Sequence, residues 1–166
     1  MKRKIDKAQN LSRMCVVCGV DNGLGLRGHF YELESGEVLG VFHPRPEHQG
    51  YPERMHGGLI SAILDETIGR AINILEPDTW GVTVDFTVKF RKPVPLDSPV
   101  KALGRLDGDP RRLFEGSGEI VLEDGTVAAE GRGRYLQVPL REITDPSFRD
   151  REWFEDPESP PLEVEI

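Results

Sequence analysis

Residues 56–75, HGGLISAILDETIGRAINIL, contain no proline and are mostly apolar or small, which predicts one long helix. On a helical wheel, Glu66, Arg70 and Asn73 share one polar face. Glu66 and Arg70 stand at i,i+4 spacing, so we expect them to form a solvated surface pair. Asp65 lies instead on the side made of small and apolar residues. Because a carboxylate is costly to bury unless it is hydrogen-bonded or has a chemical role, Asp65 is the strongest functional candidate in the chain.

The clearest strand pattern follows this helix, in WGVTVDFTVKF. Alternate residues from Trp80 to Phe90 are apolar, which predicts a strand with one face on a core. Five further strands are expected at residues 29–34, 37–43, 100–106, 113–122 and 126–138. One helix and a curved antiparallel sheet can share a core only if the sheet wraps round the helix. The sequence therefore predicts an α+β fold in which about six strands wrap a long central helix.

A chain of 166 residues is long enough for one domain with a real core. We expect an N-terminal arm at residues 1–23 and the folded domain at residues 24–138. Residues 139–166 are rich in Pro, Asp and Glu, which is typical of a tail that lies on the surface or is partly disordered.

Charge and hydropathy exclude several classes of protein. The net charge of -8 argues against a general nucleic-acid binder, which needs a basic surface. No apolar run approaches the roughly 18 residues of a membrane span, and no apolar segment follows the basic start to make a secretory signal. We therefore expect a cytoplasmic protein with no membrane or nucleic-acid partner.

Cys15 and Cys18 form a single CxxC motif. A structural zinc site needs about four ligands, and no second CxxC or suitably spaced His pair completes one. A redox pair would open a helix after a strand, whereas the following residues, GVDNGLGLRG, indicate a loop. We expect two reduced, partly buried thiols, and no metal or organic cofactor.

These elements together resemble the hotdog fold. The motif His56-Gly57-Gly58 followed by Asp65 is similar to the signature of the PaaI-like acyl-CoA thioesterases. The segment CVVCG with Asn22-Gly-Leu resembles an N-terminal signature of one branch of that family, with Gly23 where the branch has proline. The strand of residues 80–92, which ends in Phe-Arg-Lys, also fits. The resemblance spans about residues 14–138.

The resemblance implies a role for two residues of the helix. Gly57 would lie at the helix N-terminus, where backbone N–H groups are unpaired, and would polarise the thioester carbonyl. Asp65 would act as general base on water or as nucleophile. The alternatives are that Gly57 only makes a tight start to the helix, and that Asp65 is a buried carboxylate satisfied by backbone or by a second subunit.

Three further residues are candidates for the catalytic site. His56 matches the motif histidine, which orients groups around the carbonyl, and could equally be a structural hydrogen-bonder. Thr83 lies where related enzymes place a Ser or Thr that positions water, although Thr also favours strands in general. The family often has an Asn or Gln where this chain has Gly50, and a shift of one residue in the loop would let Gln49 serve.

Substrate-binding residues are expected at two places. Gly58 lies beside the proposed carbonyl site, and Arg91 and Lys92 at the end of the long strand are candidates for phosphate contacts. Arg132 and Arg134 are weaker candidates. In hotdog proteins the site lies between two subunits, so the resemblance implies a homodimer or homotetramer in which Asp65 could face Gly57 of the mate.

The sequence therefore favours a thioesterase that hydrolyses an acyl-CoA to the free acid and CoA. One alternative is a non-catalytic hotdog module that binds acyl-CoA. Another is a hotdog hydratase, whose signature pairs an Asp with a His further along the helix, where this chain has Arg70.

Overall fold

The computed structural model describes residues 2–145 and 147–166. The strands within these residues are β1 (Lys2–Ala8), β2 (Leu11–Ser12), β3 (His29–Leu33), β4 (Val38–Phe42), β5 (Thr79–Phe90), β6 (Val100–Leu106), β7 (Leu113–Val121), β8 (Val127–Pro139), β9 (Trp153–Phe154) and β10 (Glu163–Glu165).

The α-helices are α1 (Gly57–Gly69), α2 (Leu140–Ile143) and α3 (Phe148–Glu152), and 3₁₀ turns cover Pro46–His48 and Arg70–Ile74. The predicted long helix is therefore α-helical up to Gly69 and continues as a tighter 3₁₀ turn. Among the described residues, no helix is long and apolar enough to cross a membrane.

Eight strands form one antiparallel sheet in the order β10-β1-β3-β4-β6-β7-β8-β5, and β2 pairs separately with β9. Helix α1 lies against β4 to β8. It buries Ile60, Ile63, Leu64 and Ile68 on the sheet, a spacing that places one side of a helix against a core. The predicted wrapped-helix α+β architecture is confirmed, with eight strands in the sheet rather than about six.

Glycines in the central strands let the helix approach the sheet closely. A Cβ on Gly104 of β6 would lie 2.5 Å from the Thr67 carbonyl oxygen, and one on Gly118 of β7 would lie 2.8 Å from the Ile68 side chain. Any larger residue at these positions would push α1 away from the strands. The glycines therefore fix how deeply the helix, and Asp65 on it, sits in the fold.

Both ends of the chain contribute to the sheet. β1 pairs with β3 on one side and with β10 on the other, so residues 2–8 and 163–165 form its far edge. The expected domain boundaries at residues 23/24 and 138/139 do not coincide with the edges of the sheet. The division into arm, domain and tail stays a prediction.

The expectation that Glu66 and Arg70 form a solvated surface pair is wrong. The ion pair exists, with Arg70 Nη2 2.8 Å from Glu66 Oε1, but only 7% of the Arg70 side chain and 20% of the Glu66 side chain are exposed. The Arg70 guanidinium also donates to the Asn10 carbonyl and lies 4.1 Å from the Phe30 ring centre and 5.3 Å from that of Trp153. The N-terminal arm and the C-terminal tail cover this face of the helix, which a helical wheel cannot show.

Removing this guanidinium should destabilise the fold. In Arg70→Ala, we expect the free energy of unfolding to fall by about 2 to 3 kcal/mol, because Glu66 loses its ion-pair partner and two rings lose a cation. Urea unfolding followed by circular dichroism measures the change.

The matched control is Arg151→Ala, which breaks an exposed pair with Asp145. Exposed pairs contribute at most about 1 kcal/mol, so this variant should unfold close to wild type. Equal losses in the two variants would contradict a structural role for the buried guanidinium.

The predicted core face of β5 is only partly buried. Phe86 and Val88 pack on the core, but Val84 is 58% exposed and Phe90 is 56% exposed. β5 is the last strand of the sheet, and its register with β8 shifts between Thr83 and Asp85. The strand therefore has an apolar surface that its own chain leaves uncovered.

Candidate active site

Asp65 points from α1 toward β5, where Thr83 Oγ1 donates a hydrogen bond of 2.8 Å to Asp65 Oδ1. The close contact between the helix end and the strand depends on two small residues, because a Cβ on Gly81 would lie 2.9 Å from the Gly69 carbonyl oxygen. The structure thus brings together two of the residues that the sequence singled out.

Burial raises the pKa of Asp65 above its ordinary value, and the hydrogen bonds from Thr83 and Tyr135 lower it in part. The Tyr135 hydroxyl also lies 3.4 Å from the Asp65 backbone carbonyl. Burial likewise raises the pKa of Tyr135, which keeps its hydroxyl protonated as a donor. A half-buried carboxylate with a raised pKa and a fixed orientation has the properties of a general base.

A cleft of about 360 Å³ opens beside Asp65 and Thr83. Its walls include Cys15 from the N-terminal arm, Trp80 and Val82 from β5, and Trp153 from the tail. The Trp80 and Trp153 rings meet edge to face with centres 5.3 Å apart. The cleft therefore offers an apolar surface next to a carboxylate.

Sequence reasoning missed Trp153 and Cys15 as parts of this cleft. Trp153 could have been noticed from the sequence, since it is a large apolar residue in a tail rich in Pro, Asp and Glu. Cys15 carried no signal of this kind, because its approach to the helix depends on how the arm folds back.

His56, Gly57 and Gly58 form the N-terminus of α1. His56 is the N-cap, and its Nδ1 accepts a 2.9 Å hydrogen bond from the Gly58 N–H. Among the described residues, the Gly57 N–H has no acceptor. The cap thus uses one donor of the first turn and leaves the neighbouring donor free, at the positive end of the helix dipole.

Gln49 lies in the loop at the same end of the helix. It forms an isolated bridge with Met55, and its side-chain oxygen accepts a 3.0 Å hydrogen bond from the Glu53 N–H. A Cβ on the adjacent Gly50 would lie 2.9 Å from the His56 Cα. Gln49 is therefore near the helix N-terminus and is held by its own loop.

Arg91 and Lys92 follow Phe90, whose ring lies against Gly57. Their backbone N–H groups donate to the Ala128 carbonyl, which fixes the end of β5. The Arg91 side chain is exposed and paired with Glu130, with a 2.8 Å hydrogen bond from its Nε. Both cations thus lie at the same end of the molecule as the free Gly57 N–H.

The weaker cation candidates, Arg132 and Arg134, both lie on β8. Arg134 Nη2 is 3.0 Å from Asp85 Oδ2, in an exposed pair across β8 and β5. Arg132 faces a surface groove that Arg91 and Arg105 also line.

The candidate residues form two separate groups in one chain. Asp65 follows Gly57 by eight residues, which is about 12 Å along an α-helix. One group contains the carboxylate and the cleft, and the other contains the free N–H and the cations. Within one chain, the Asp65 carboxylate and the Gly57 N–H therefore do not lie side by side.

Comparison with known proteins gives a consistent result. Residues 53–129, from the loop before α1 to β8, match the Thioesterase superfamily. The chain is 25% identical over 141 residues to the acyl-coenzyme A thioesterase THEM4 of Bos taurus, which covers 82% of this chain and 54% of the bovine protein. The chain thus spans about half the length of this curated relative.

Two solved structures share the architecture. A thioesterase superfamily protein of known structure superposes with a TM-score of 0.67 at 28% identity, covering 75% of this chain and 60% of that one. The E. coli PaaI protein from the phenylacetic acid degradation operon superposes with a TM-score of 0.61 at 17% identity, covering 68% of this chain and 80% of that one. Residues 53–129 therefore match the Thioesterase superfamily, within a chain that has the hotdog fold of these structures.

Proposed function

We propose that this protein is an acyl-CoA thioesterase in which Asp65 acts on the thioester carbon, as general base for water or as nucleophile. The observation that carries the proposal is the Asp65–Thr83 hydrogen bond beside an apolar cleft. As a base, Asp65 takes a proton from water, the new hydroxide attacks the carbonyl, and the C–S bond breaks to release CoA thiolate. The cleft beside it would receive the acyl group.

The free Gly57 N–H is the proposed donor to the carbonyl oxygen. Preorganised backbone N–H groups stabilise the negative charge that develops there. Since Gly57 and Asp65 of one chain lie apart, the donor would come from a second subunit. The resulting site would need two chains.

The uncovered face of β5 supports such an assembly. β5 is an edge strand, and Val82, Val84 and Phe90 on it are exposed. Apolar side chains along an open sheet edge favour pairing with another strand. We propose a homodimer, or a homotetramer built from such dimers, in which β5 strands lie side by side and Asp65 faces Gly57 of the partner subunit.

Arg91 and Lys92 would then hold the phosphates of CoA, while Gly58 and Gln49 would lie beside the thioester carbonyl at the helix N-terminus. His56 would fix the geometry of the first helical turn through its hydrogen bond to Gly58. No metal or organic cofactor takes part in the proposed reaction. The cytoplasmic location also stays a prediction.

A thiol-release assay with a panel of short, long and aromatic acyl-CoAs tests the function. We expect at least one of them to be hydrolysed at a rate that depends on Asp65. The competing function is a module that binds acyl-CoA without turnover. Calorimetric binding of acyl-CoAs with no thiol release from any of them would overturn the proposal in favour of that module.

The hydrogen bond from the Thr83 hydroxyl should affect the pKa and the activity of Asp65. In Thr83→Val, we expect kcat to fall about ten- to a hundredfold, the cost of one hydrogen bond to a charged group. Loss of this donor removes an interaction that lowers the pKa of Asp65, so that pKa rises. Because the base must be ionised, kcat/KM increases as pH rises through that pKa, and the acid limb of the profile should move to higher pH.

Thr87→Val on the same strand is the control, since Thr87 is exposed and lies two residues beyond Asp85 on β5. Its pH–rate profile should match that of wild type. An acid limb that stays in place in Thr83→Val would argue that Asp65 is not the titrating base.

A further inference from the structure

The cleft beside Asp65 is bordered by a cysteine pair that the proposed reaction does not use. The Gly19 N–H donates to the Cys15 carbonyl at 2.8 Å, so residues 15–19 form one helical turn. Residues three apart in such a turn lie on one face, which places Cys15 and Cys18 next to each other. The residues that follow, 19–28, form turns and loop without a helix, as the sequence predicts.

The two sulfurs have different surroundings. Cys15 lines the cleft, and its S–H donates to Glu66 Oε2 at 3.2 Å while its sulfur accepts from the Val17 N–H at 3.3 Å. Cys18 is only 1% exposed, and its sulfur accepts from Arg70 Nη2 at 3.2 Å. One thiol is thus reachable from the cleft, and the other is enclosed behind it.

The interaction between the two thiols shifts their pKa values in opposite directions. It lowers the pKa of Cys15 and, together with burial, raises the pKa of Cys18. A thiolate is the reactive form of cysteine, so the accessible sulfur is also the one more easily ionised. This asymmetry is typical of an attacking thiol next to a resolving thiol.

We propose that Cys15 and Cys18 form a redox-active dithiol on the wall of the cleft, which a peroxide oxidises to a disulfide. Cys15 thiolate attacks hydrogen peroxide, the O–O bond breaks, and Cys15 sulfenic acid and hydroxide form. Cys18 then attacks the Cys15 sulfur, the S–S bond forms, the S–O bond breaks, and the proton of Cys18 leaves with the departing hydroxide as water. Two thiols are oxidised and one peroxide is reduced to two waters.

Oxidation of the dithiol would affect the candidate active site through Glu66, the residue next to Asp65 in the sequence. In the disulfide, Cys15 no longer carries a proton to donate to the Glu66 carboxylate. The sulfur that lines the cleft is also drawn toward Cys18. The dithiol thus makes one wall of the cleft sensitive to oxidants.

The same atoms could be considered as metal ligands, since the two sulfurs and a Glu66 oxygen lie within 4.8 Å of one another. A structural zinc site uses about four protein ligands, and the described residues supply three here. The Arg70 guanidinium already donates to both Cys18 and Glu66, so a positive charge balances the cluster. These contacts favour a dithiol over a metal site.

Thiol titration and intact-mass measurement on the full chain test the proposal. Treatment with hydrogen peroxide should remove both of the two free thiols and lower the mass by about 2 Da, and dithiothreitol should reverse the change. Cys18→Ala should accumulate a sulfenic acid on Cys15 that dimedone traps. Cys15→Ser should lose its remaining thiol at least about tenfold more slowly than wild type.

Three outcomes would overturn the proposal. In the first, peroxide treatment leaves both thiols free. In the second, Cys15→Ser and wild type are oxidised at equal rates. In the third, the purified protein contains one equivalent of zinc, which protects the thiols from oxidation. Circular dichroism confirms that each variant is folded. Because these measurements do not use acyl-CoA, their failure is separate from a failure of the proposed thioesterase function.

Discussion

Replacing Asp65 by asparagine is expected to lower kcat/KM for acyl-CoA hydrolysis by about 10²- to 10⁴-fold, the usual contribution of a positioned base. Asparagine has nearly the shape of aspartate, and its oxygen can still accept the hydrogen bond from Thr83. The variant therefore loses the ability to take a proton or to attack, while its surroundings stay the same. The thiol-release assay on purified protein measures the loss.

The same substitution should leave stability equal or higher at neutral pH. Burial raises the pKa of Asp65 in the folded state above its ordinary value, so the folded protein favours the protonated form. The cost of the charge is absent below the ordinary carboxyl pKa and fully present above the raised pKa. Because asparagine is uncharged, it avoids this cost, and urea unfolding at neutral pH should show no loss of stability.

Asp107→Asn is the matched control. Asp107 follows β6 on the surface and accepts a 2.7 Å hydrogen bond from Ser117, which asparagine can also accept. We expect its activity to equal that of wild type. A folded Asp65→Asn that hydrolyses as fast as this control would show that the proposed mechanism is wrong.

Removing the Gly57 N–H is expected to lower kcat by about 10²- to 10³-fold, the range measured for an oxyanion donor. Gly57→Pro does this with little change of structure, because Gly57 is the first residue of α1 and proline is well accepted there. His56 has φ -65° and ψ 132°, which suits a residue before proline. Circular dichroism should show an unchanged helix content.

Gly57→Ala separates the N–H from the side chain. Alanine keeps the donor, and its Cβ would lie 3.5 Å from the Phe90 ring, an ordinary contact. This variant should keep most of the activity that Gly57→Pro loses. Equal activity in the two variants would exclude Gly57 as the donor to the carbonyl oxygen.

A mixture of Asp65→Asn and Gly57→Pro subunits tests whether the two groups meet across an interface. In randomly mixed dimers, half are mixed, and each mixed dimer holds one intact site, so activity should return to about one quarter of wild type. Mixing after unfolding and refolding, followed by the thiol-release assay, gives the result. If activity stays at the level of the separate variants, the site does not combine Asp65 of one subunit with Gly57 of the other.

The main elements of the fold follow from local patterns in the sequence. The helix of residues 57–69, the long strand β5 and the three strands after it were predicted because hydrophobic periodicity and turn residues act over short stretches of chain. The exceptional position of Asp65 was also visible, because the faces of a helix follow from its spacing alone. These predictions needed no knowledge of what packs against each element.

The tertiary structure decided what covers each face, and this depends on segments far away in the chain. Arg70 is buried because Phe30, Asn10 and Trp153 come to it from the two ends of the sequence. Val84 is exposed because β5 is the last strand of the sheet. Periodicity predicts which side chains share a face, whereas burial depends on long-range packing. For this reason the carboxylate and the Gly57 N–H at the helix N-terminus could be located from the sequence, but the cleft and the position of the cysteine pair on its wall required the folded structure.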